Sequence, residues 1–261
     1  MAKDESKIFQ EMSKAKINVV IPYLAGAAQG RELEMAVAGW RQHFQEPHRI
    51  IIVGDEPGIQ GEDIVFIPCP RVPDVKGQYR PHLDHVHKFR EVRKKYPRSK
   101  GFVYTCDDIY AVKDFTLEDI LVPKVQRMDI DGSRALFNAW VRDNVKTRAR
   151  LVQEGLPTAN WVCHLPVWYD WKGLIDVWDR YGCDTRSYVV ENLYFNERLD
   201  AREAVLMGSP GENYRHQVWR KGASQEEARA AMSRVTWMVN SRLGWAPWLE
   251  EMLLEYYGLS K

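Results

Sequence analysis

Two adjacent carboxylates, Asp107 and Asp108, are the residues whose type and spacing point most directly to chemistry in this 261-residue chain. They follow an apolar run at residues 102–104 that is typical of a short buried strand. Two carboxylates at the end of a buried strand repel each other, so they require a cation or strong donors nearby. Because carboxylate oxygens suit Mg²⁺ or Mn²⁺, the pair predicts a metal site that holds a phosphate group. The alternative is a capped loop in which both side chains bond their own backbone.

The elements before this pair predict a sheet that would position it. Continuous apolar runs predict strands at residues 17–24, 49–54 and 64–67, and helical spacing predicts a helix over 31–44. A second helix is predicted over 82–96, with a basic face that is usually solvated. Unbroken apolar strands joined by helices indicate a largely parallel sheet covered on both faces. Ligands bind such sheets at the carboxyl ends of their strands, where the acidic pair falls.

The second half of the chain has weaker signals. We predict a strand at 120–124, a helix at 140–154, a short strand at 161–163, a helix that ends at Gly182, and a helical tail over 224–258. Pro166 is expected to end regular structure there. The predicted organisation is a lead-in at residues 1–15, an α/β domain at 16–200 and a helical appendage at 201–261.

Composition restricts the class of protein. A hydrophobic content of 45% and a charged content of 28% predict a packed core. The net charge of +1 provides no global field for nucleic acid or membrane. The four cysteines include no CxxC pair, which favours a reducing, cytoplasmic setting. The sequence has neither a signal-peptide pattern nor an apolar run long enough to span a membrane.

The order of elements resembles the nucleotide-sugar half of GT-A fold glycosyltransferases. The shared features are a strand ending in Pro-Tyr, a helix, a strand ending in an acid, a third strand, and a strand that runs into paired Asp residues. The resemblance covers residues 16–112 and, more loosely, 16–200. It implies an α/β, Rossmann-like domain with a mostly parallel central sheet flanked by helices. It also implies an enzyme that moves a sugar from a nucleotide-diphosphate donor, with UDP favoured, to an acceptor glycan or other hydroxyl.

The same resemblance assigns roles to individual residues. The donor-binding residues that it implies are Pro22, Tyr23, Leu24 and Asp55, with Asp107 of the acidic pair beside them. Lys88 joins them from the basic helix face, where its charge could reach a diphosphate. Asp108 would bind Mn²⁺ or Mg²⁺, helped by Asp107 and His164, although Cys106 replaces the first Asp of the family's Asp-x-Asp motif. Glu191 is the candidate general base and Asp170 the second choice. The structural alternatives are a solvated Lys88, a core or turn histidine at 164, and a capping or ion-paired Glu191.

Three other functions stay open at this stage. The paired Asp, His164-Leu165-Pro166 and a later Glu-Asn-x-Tyr resemble Stealth-type capsular polysaccharide phosphotransferases, which transfer a hexose 1-phosphate. Basic faces at residues 88–100 and 142–150 allow a modified DNA base, such as a hydroxymethyl pyrimidine, as the acceptor. Because Cys106 replaces the first Asp of the motif, a module that binds a nucleotide sugar without catalysing a reaction is also possible. A Rossmann dehydrogenase is disfavoured because no GxGxxG follows the first strand.

Overall fold

The central sheet has five strands in the computed structural model, which describes residues 16–74, 80–126, 138–209, 211–219 and 222–260. The strands are β1 (Ile17–Tyr23), β2 (His48–Gly54), β3 (Ile64–Pro68), β4 (Gly101–Tyr104) and β7 (Val167–Asp170). Their order is β3-β2-β1-β4-β7, in which the first four are parallel and β7 is antiparallel to β4. The prediction of a mostly parallel central sheet is therefore confirmed.

Helices cover both faces of this sheet because its strands are apolar on both sides. Val19 and Ile21 of β1 pack with Trp40 of α1 (Glu32–His43) on one face. Val20 of β1 packs with Phe89 of α2 (Pro81–Lys95) on the other face. The other helices are α3 (Leu117–Leu121), α4 (Ala139–Gln153), α5 (Trp171–Tyr181), α6 (Val190–Asn196), α7 (Gln225–Met232) and α8 (Pro247–Tyr257).

Two smaller sheets connect the end of the chain to its middle. In the first, β10 (Trp237–Asn240) lies between β5 (Ile109–Ala111) and β9 (Arg215–Val218), antiparallel to β5. In the second, β6 (Lys124–Gln126) pairs in parallel with β8 (Val205–Met207). Since β5 begins directly after the acidic pair, the C-terminal segment supports the loop that carries Asp107 and Asp108.

Several local predictions are wrong. Residues 120–124 do not form the predicted strand. Ile120 and Leu121 end α3, which begins with a capping box at Thr116, and of this range only Lys124 belongs to a strand, β6. Residues 161–163 form no strand; the strand is β7, directly after Pro166, because β4 supplies its hydrogen-bonding partner. The tail is not helical throughout, since β10 interrupts it.

The remaining helical predictions are confirmed. They include α1, α2, α4 and α5, and α5 ends at a left-handed Gly182. Ser224 caps α7 by accepting a bond from the backbone N–H of Glu227, 3.2 Å away. The predicted lead-in at 1–15 lies outside the described residues, and the boundary near residue 200 stays a prediction. Within the described part of the chain, no helix combines the length and apolarity that crossing a membrane requires.

Candidate active site

A cleft of about 210 Å³ lies at the carboxyl ends of β1 and β4. The sheet order changes direction here, because β2 and β4 lie on opposite sides of β1. Such switch points are the usual ligand sites of open α/β sheets. The structure brings six of the predicted site residues to the walls of this cleft: Pro22, Leu24, Lys88, Asp107, Asp108 and His164.

Asp108 and His164 form a direct pair inside the cleft. The imidazole Nε2 of His164 donates to Oδ1 of Asp108 at 3.0 Å. Burial lowers the pKa of His164, but the charge of Asp108 and the hydrogen bond to it outweigh burial and leave that pKa above its ordinary value. His164 is also the one non-glycine residue with a positive φ, 52°, among the described residues. Such strained backbone is typical of functional sites, where the surroundings fix a side chain in place.

Two further carboxyl groups, those of Asp107 and Glu32, lie in the cleft with this pair. Burial raises the pKa of Asp107 to about 8, and the charges of Asp108 and Glu32 add to the effect. Burial also raises the pKa of Glu32 to about 7, although hydrogen bonds from Asn240 and the Gln29 backbone oppose it. Both acids therefore hold protons more readily than usual, since ionisation would crowd negative charge into a buried space. A bound cation would relieve this repulsion.

Glu32 is a site residue that the sequence analysis missed. Its Oε1 accepts from Nδ2 of Asn240 and its Oε2 from the backbone N–H of Gln29, both at 2.7 Å. Asn240 in turn accepts from the hydroxyl of Tyr110 at 2.6 Å and donates its backbone N–H to the carbonyl of Asp108 at 3.2 Å. The sequence does indicate that Glu32 is buried: it lies four residues before Ala36, and helical spacing therefore places it on the buried face of α1.

Lys88 is buried, and the expectation of a solvated side chain is wrong for it. Its side chain is 2% exposed, and its Nζ donates to Oδ2 of Asp84 at 2.8 Å and to the carbonyl of Tyr23 at 3.2 Å. Lys94 and Lys95 on the same helix are exposed, as predicted for that face. Asp84 balances the charge of Lys88, and the ammonium lines the wall of the cleft beside the end of β1 with two of its three N–H groups engaged.

The loops after β1 and β2 are joined by a predicted donor-binding residue. Oδ2 of Asp55 accepts the backbone N–H of Ala25 at 2.9 Å, so the two loops form one wall. Tyr23 and Asp55 do not line the cleft, in contrast to Pro22 and Leu24. Burial raises the pKa of the Tyr23 hydroxyl, and the charges of Asp107 and Asp55 raise it further, which places this hydroxyl near both acids.

The two predicted bases occupy different places. Glu191 lies in the first turn of α6, where burial raises its pKa to about 7 and His164 lowers it. Its charge acts on His164 and Cys106, although it does not line the cleft itself. Asp170 instead caps α5, accepting from the Gly173 backbone at 2.7 Å and from the Tyr194 hydroxyl. Since Asp170 pairs with Gly101 at the start of β4, the structure does not bring it to the acidic pair.

Three further side chains line the cleft: Arg242 and His85, which the sequence analysis missed, and Cys106, which it named as the departure from the Asp-x-Asp motif. Arg242 is exposed and follows β10, so it adds a positive charge to the lining of the cleft. His85 and Cys106 lie deeper, with the Tyr104 hydroxyl 3.5 Å from Nδ1 of His85 and 3.2 Å from Sγ of Cys106. Burial lowers the pKa of His85 to about 3, so its imidazole is neutral. Cys106, at the position of the first Asp of the Asp-x-Asp motif, therefore lies among the uncharged side chains of Tyr104 and His85.

The side chains that line the cleft determine how a metal ion would be bound there. No three His, Cys, Asp or Glu side chains are preassembled around one metal position in the described residues. Asp108 and His164 are close enough to share a ligand, and Asp107 lies in the same cleft. Mg²⁺ characteristically binds through one or two carboxylates and completes its shell with water and substrate phosphates. The residues fit an ion of that kind and do not form an all-protein cage.

Comparisons with known proteins identify no family. No protein-family profile matches the chain. No curated protein matches it. Among solved structures, the chain is similar to the crystal structure of a glycosyltransferase involved in the glycosylation of the major capsid of PBCV-1, at 9% sequence identity and a TM-score of 0.40. The match covers 94% of this chain and 100% of that one, and at this TM-score it carries no argument about function.

Proposed function

We propose that the protein is a glycosyltransferase that binds a nucleotide-sugar donor in this cleft and transfers the sugar to an acceptor hydroxyl. The observation that carries the proposal is the Asp108–His164 pair, set beside Asp107 at the carboxyl edge of a parallel sheet. A cleft at this edge that combines buried acids with a buried lysine suits a ligand with both a metal and phosphates. The order of elements in the sequence supports the same proposal.

Different walls of the cleft would hold different parts of the donor. The wall formed by Pro22, Leu24 and the Asp55–Ala25 contact offers an apolar surface and backbone groups for a nucleobase and ribose. Lys88 and Arg242 supply the positive charge that a diphosphate requires. A UDP-sugar is the donor that we favour.

A divalent ion, Mn²⁺ or Mg²⁺, would be held by Asp108 and His164, with Asp107 available as a further ligand. When bound, such an ion neutralises the charge that develops on the departing nucleoside diphosphate. The chain's own residues prepare the site for it, because Asn240 fixes Glu32 and the Asp108 backbone in place. The like-charged acids are then stabilised by the ion instead of by protonation.

A carboxylate must accept the acceptor's proton if the reaction inverts the anomeric centre. Glu32 lines the cleft, whereas Glu191 lies outside its lining and acts on His164 through its charge. We therefore assign Glu32 as the proton acceptor and Glu191 as a residue that supports the site electrostatically through His164. Glu32→Gln should then abolish sugar transfer while nucleotide binding persists. Glu191→Gln should weaken metal binding as well as transfer.

Thermal unfolding with a panel of nucleotide sugars, each with and without Mn²⁺, tests the proposal. A donor present at a hundred times its Kd stabilises the folded state by about 2.7 kcal/mol. For a chain of this size that amounts to a rise in Tm of roughly 5–10 °C. Asp108→Asn should abolish the Mn²⁺-dependent rise. Asp176→Asn, an exposed position on α5, is the matched control that should keep it.

The products distinguish sugar transfer from hexose 1-phosphate transfer. Sugar transfer releases a nucleoside diphosphate, whereas transfer of a hexose 1-phosphate releases a nucleoside monophosphate. We expect the diphosphate, detected by anion-exchange chromatography after incubation with donor and acceptor. If no nucleotide sugar shifts the Tm, with or without metal, the proposed site is wrong. A shift without turnover, for every acceptor tried, would instead favour a binding module.

A further inference from the structure

A second cleft, of about 460 Å³, lies at the opposite end of the central sheet. Its floor is formed by the first residues of β1 and β2, and its roof by the end of α2 and the turn that leads into β4. The active-site cleft lies at the carboxyl ends of the same strands. The two clefts share no lining residue, so the second is a separate site.

The second cleft is strongly positive. Five cationic residues line it, and the described lining residues include neither Asp nor Glu: the cations are Lys16, Arg49, Lys95, Arg98 and Lys100. The net charge of the whole chain is only +1, so this concentration is local. A concave surface with charge of one sign focuses the field and raises the local concentration of anions. The cleft therefore favours an anionic ligand.

Exposed lysines alone do not make a site, but two buried polar groups on the floor indicate one. Asn18 is 4% exposed, and its Nδ2 donates to Oγ of Ser99 at 3.0 Å. The Ser99 hydroxyl donates its single proton to the Gly101 carbonyl at 2.6 Å, so it can only accept from Asn18. This arrangement fixes the Asn18 amide and leaves its Oδ1 buried with no hydrogen-bond partner among the described residues.

Arg49 is the second such group. It is the neighbour of Asn18 in the parallel register of β1 and β2. Its guanidinium lies over the ring of Tyr96, 4.8 Å from the ring centre, which holds the side chain in the cleft. Its Nε is buried and has no hydrogen-bond partner in the described structure. Buried polar groups are normally paired, so an acceptor at Asn18 and a donor at Arg49 together define what a ligand must supply.

The ligand must therefore bring an anionic acceptor for Arg49 and a hydroxyl or amino donor for Asn18. The cleft also contains the indole of Trp168, which rests on Gly101 so closely that a Cβ there would lie 2.5 Å from the ring. A fixed aromatic side chain beside cations is a common platform for a nucleobase. We propose that this cleft binds a nucleotide, through its phosphate, its sugar hydroxyl and its base.

Such a nucleotide is either free in solution or a unit of a single strand, and one set of binding measurements separates these sources. The full-length protein is titrated with uridine monophosphate, with a short oligouridylate, whose units keep their 2′-hydroxyls, and with inorganic pyrophosphate, in EDTA at low salt. EDTA removes divalent ions and so suppresses the proposed donor site. We expect binding of the monophosphate for a free nucleotide, or of the oligouridylate alone for a strand. In either case affinity should fall steeply as salt increases.

The variants locate the ligand. Arg49→Met should weaken binding about tenfold, the loss expected for one charge-assisted contact. Arg98→Glu, at an exposed position that does not endanger folding, should weaken it by a similar factor. The matched controls Arg186→Glu, exposed and outside the cleft, and Asp108→Asn, in the active site, should bind as the wild type does.

Three results would overturn the proposal. One is the absence of binding by either nucleotide probe to the wild-type protein. Another is a loss of binding in Asp108→Asn but not in Arg49→Met, which would move the ligand to the active site. The third is pyrophosphate binding as tight as that of the nucleotides, which would remove the requirement for a donor to Asn18. None of these results depends on whether the protein transfers a sugar.

Discussion

Replacing Lys88 with methionine should destabilise the protein strongly, because it leaves a buried carboxylate without its cation. The side chains of Lys88 and Asp84 are 2% and 1% exposed, and Nζ lies 2.8 Å from Oδ2. Removing one partner of a buried ion pair typically costs about 3–5 kcal/mol of the free energy of unfolding. Asp84 keeps one bond, from the backbone N–H of Val72 to Oδ1 at 2.8 Å. We therefore expect the lower half of that range, about 3–4 kcal/mol.

Urea unfolding followed by tryptophan fluorescence measures this loss, and a second variant tests its cause. Lys88→Met combined with Asp84→Asn removes both charges and keeps an oxygen that accepts from Val72. The double variant should regain most of the lost free energy of unfolding, since no uncompensated charge remains. Both variants should lose affinity for a nucleotide sugar if Lys88 binds the diphosphate. The double variant therefore separates the two roles of Lys88, because it restores stability and does not restore affinity for the nucleotide sugar.

Two results would refute this reasoning. A loss below about 1 kcal/mol in Lys88→Met would mean that water reaches Asp84 and that the pair behaves as a surface ion pair. A double variant less stable than the single one would mean that the charge on Asp84 is stabilised by groups other than Lys88.

Three further predictions concern a titration, a glycine and a buried amide. The folded state binds a proton at Asp107 more tightly than the unfolded state, since burial raises its pKa from 3.8 to about 8. The free energy of unfolding should therefore fall as pH rises between these two pKa values, by up to about 1.4 kcal/mol per pH unit. In urea unfolding measured between about pH 5 and about pH 8, Asp107→Asn should show a smaller fall than the wild type. Gly54→Ala should lower both the Tm and donor affinity, because φ is +140° and a Cβ would lie 1.9 Å from the Tyr23 carbonyl oxygen; an unchanged Tm in a thermal melt would contradict this. Asn192→Ala should cost about 1–3 kcal/mol in urea unfolding, because its Oδ1 accepts the Trp161 backbone N–H at 2.7 Å and that donor would stay buried; a loss under 0.5 kcal/mol would indicate that water replaces the amide.

The sequence predicts the first half of the fold well because its signals there are local. The strands β1 to β4 are continuous apolar runs, and α1 and α2 have clear helical spacing, so their parallel arrangement follows from general packing rules. The position of Asp107 and Asp108 at the edge of the sheet follows as well. His164 was expected to approach Asp108 from the resemblance alone, since 56 residues separate them along the chain.

Long-range pairing explains what the sequence analysis missed. Val235 and Val239 are spaced as in a helix, yet β10 forms here because β5 and β9 offer hydrogen-bonding edges on both sides. Strand β7 follows Pro166 directly for the same reason, since β4 provides its edge. The burial of Lys88 is a different case, because its partner Asp84 lies only one turn earlier on α2 and the pair has ordinary helical spacing. The two strands, in contrast, depend on neighbours far along the chain, which periodicity does not reveal.

The bond from Asn240 to Glu32 has a consequence for how the protein is made. It joins residues 208 positions apart, so a ribosome delivers nearly the whole chain before the contact can form. Until then β5 lacks the partner strand β10, and the Glu32 carboxylate lacks its side-chain donor. Contacts of such high sequence separation form late, because the entropy of closing the loop must be overcome first. The central sheet can therefore fold on the nascent chain while the acidic cleft is completed only afterwards, so that a growing polypeptide has a core before its carboxylates are held in place.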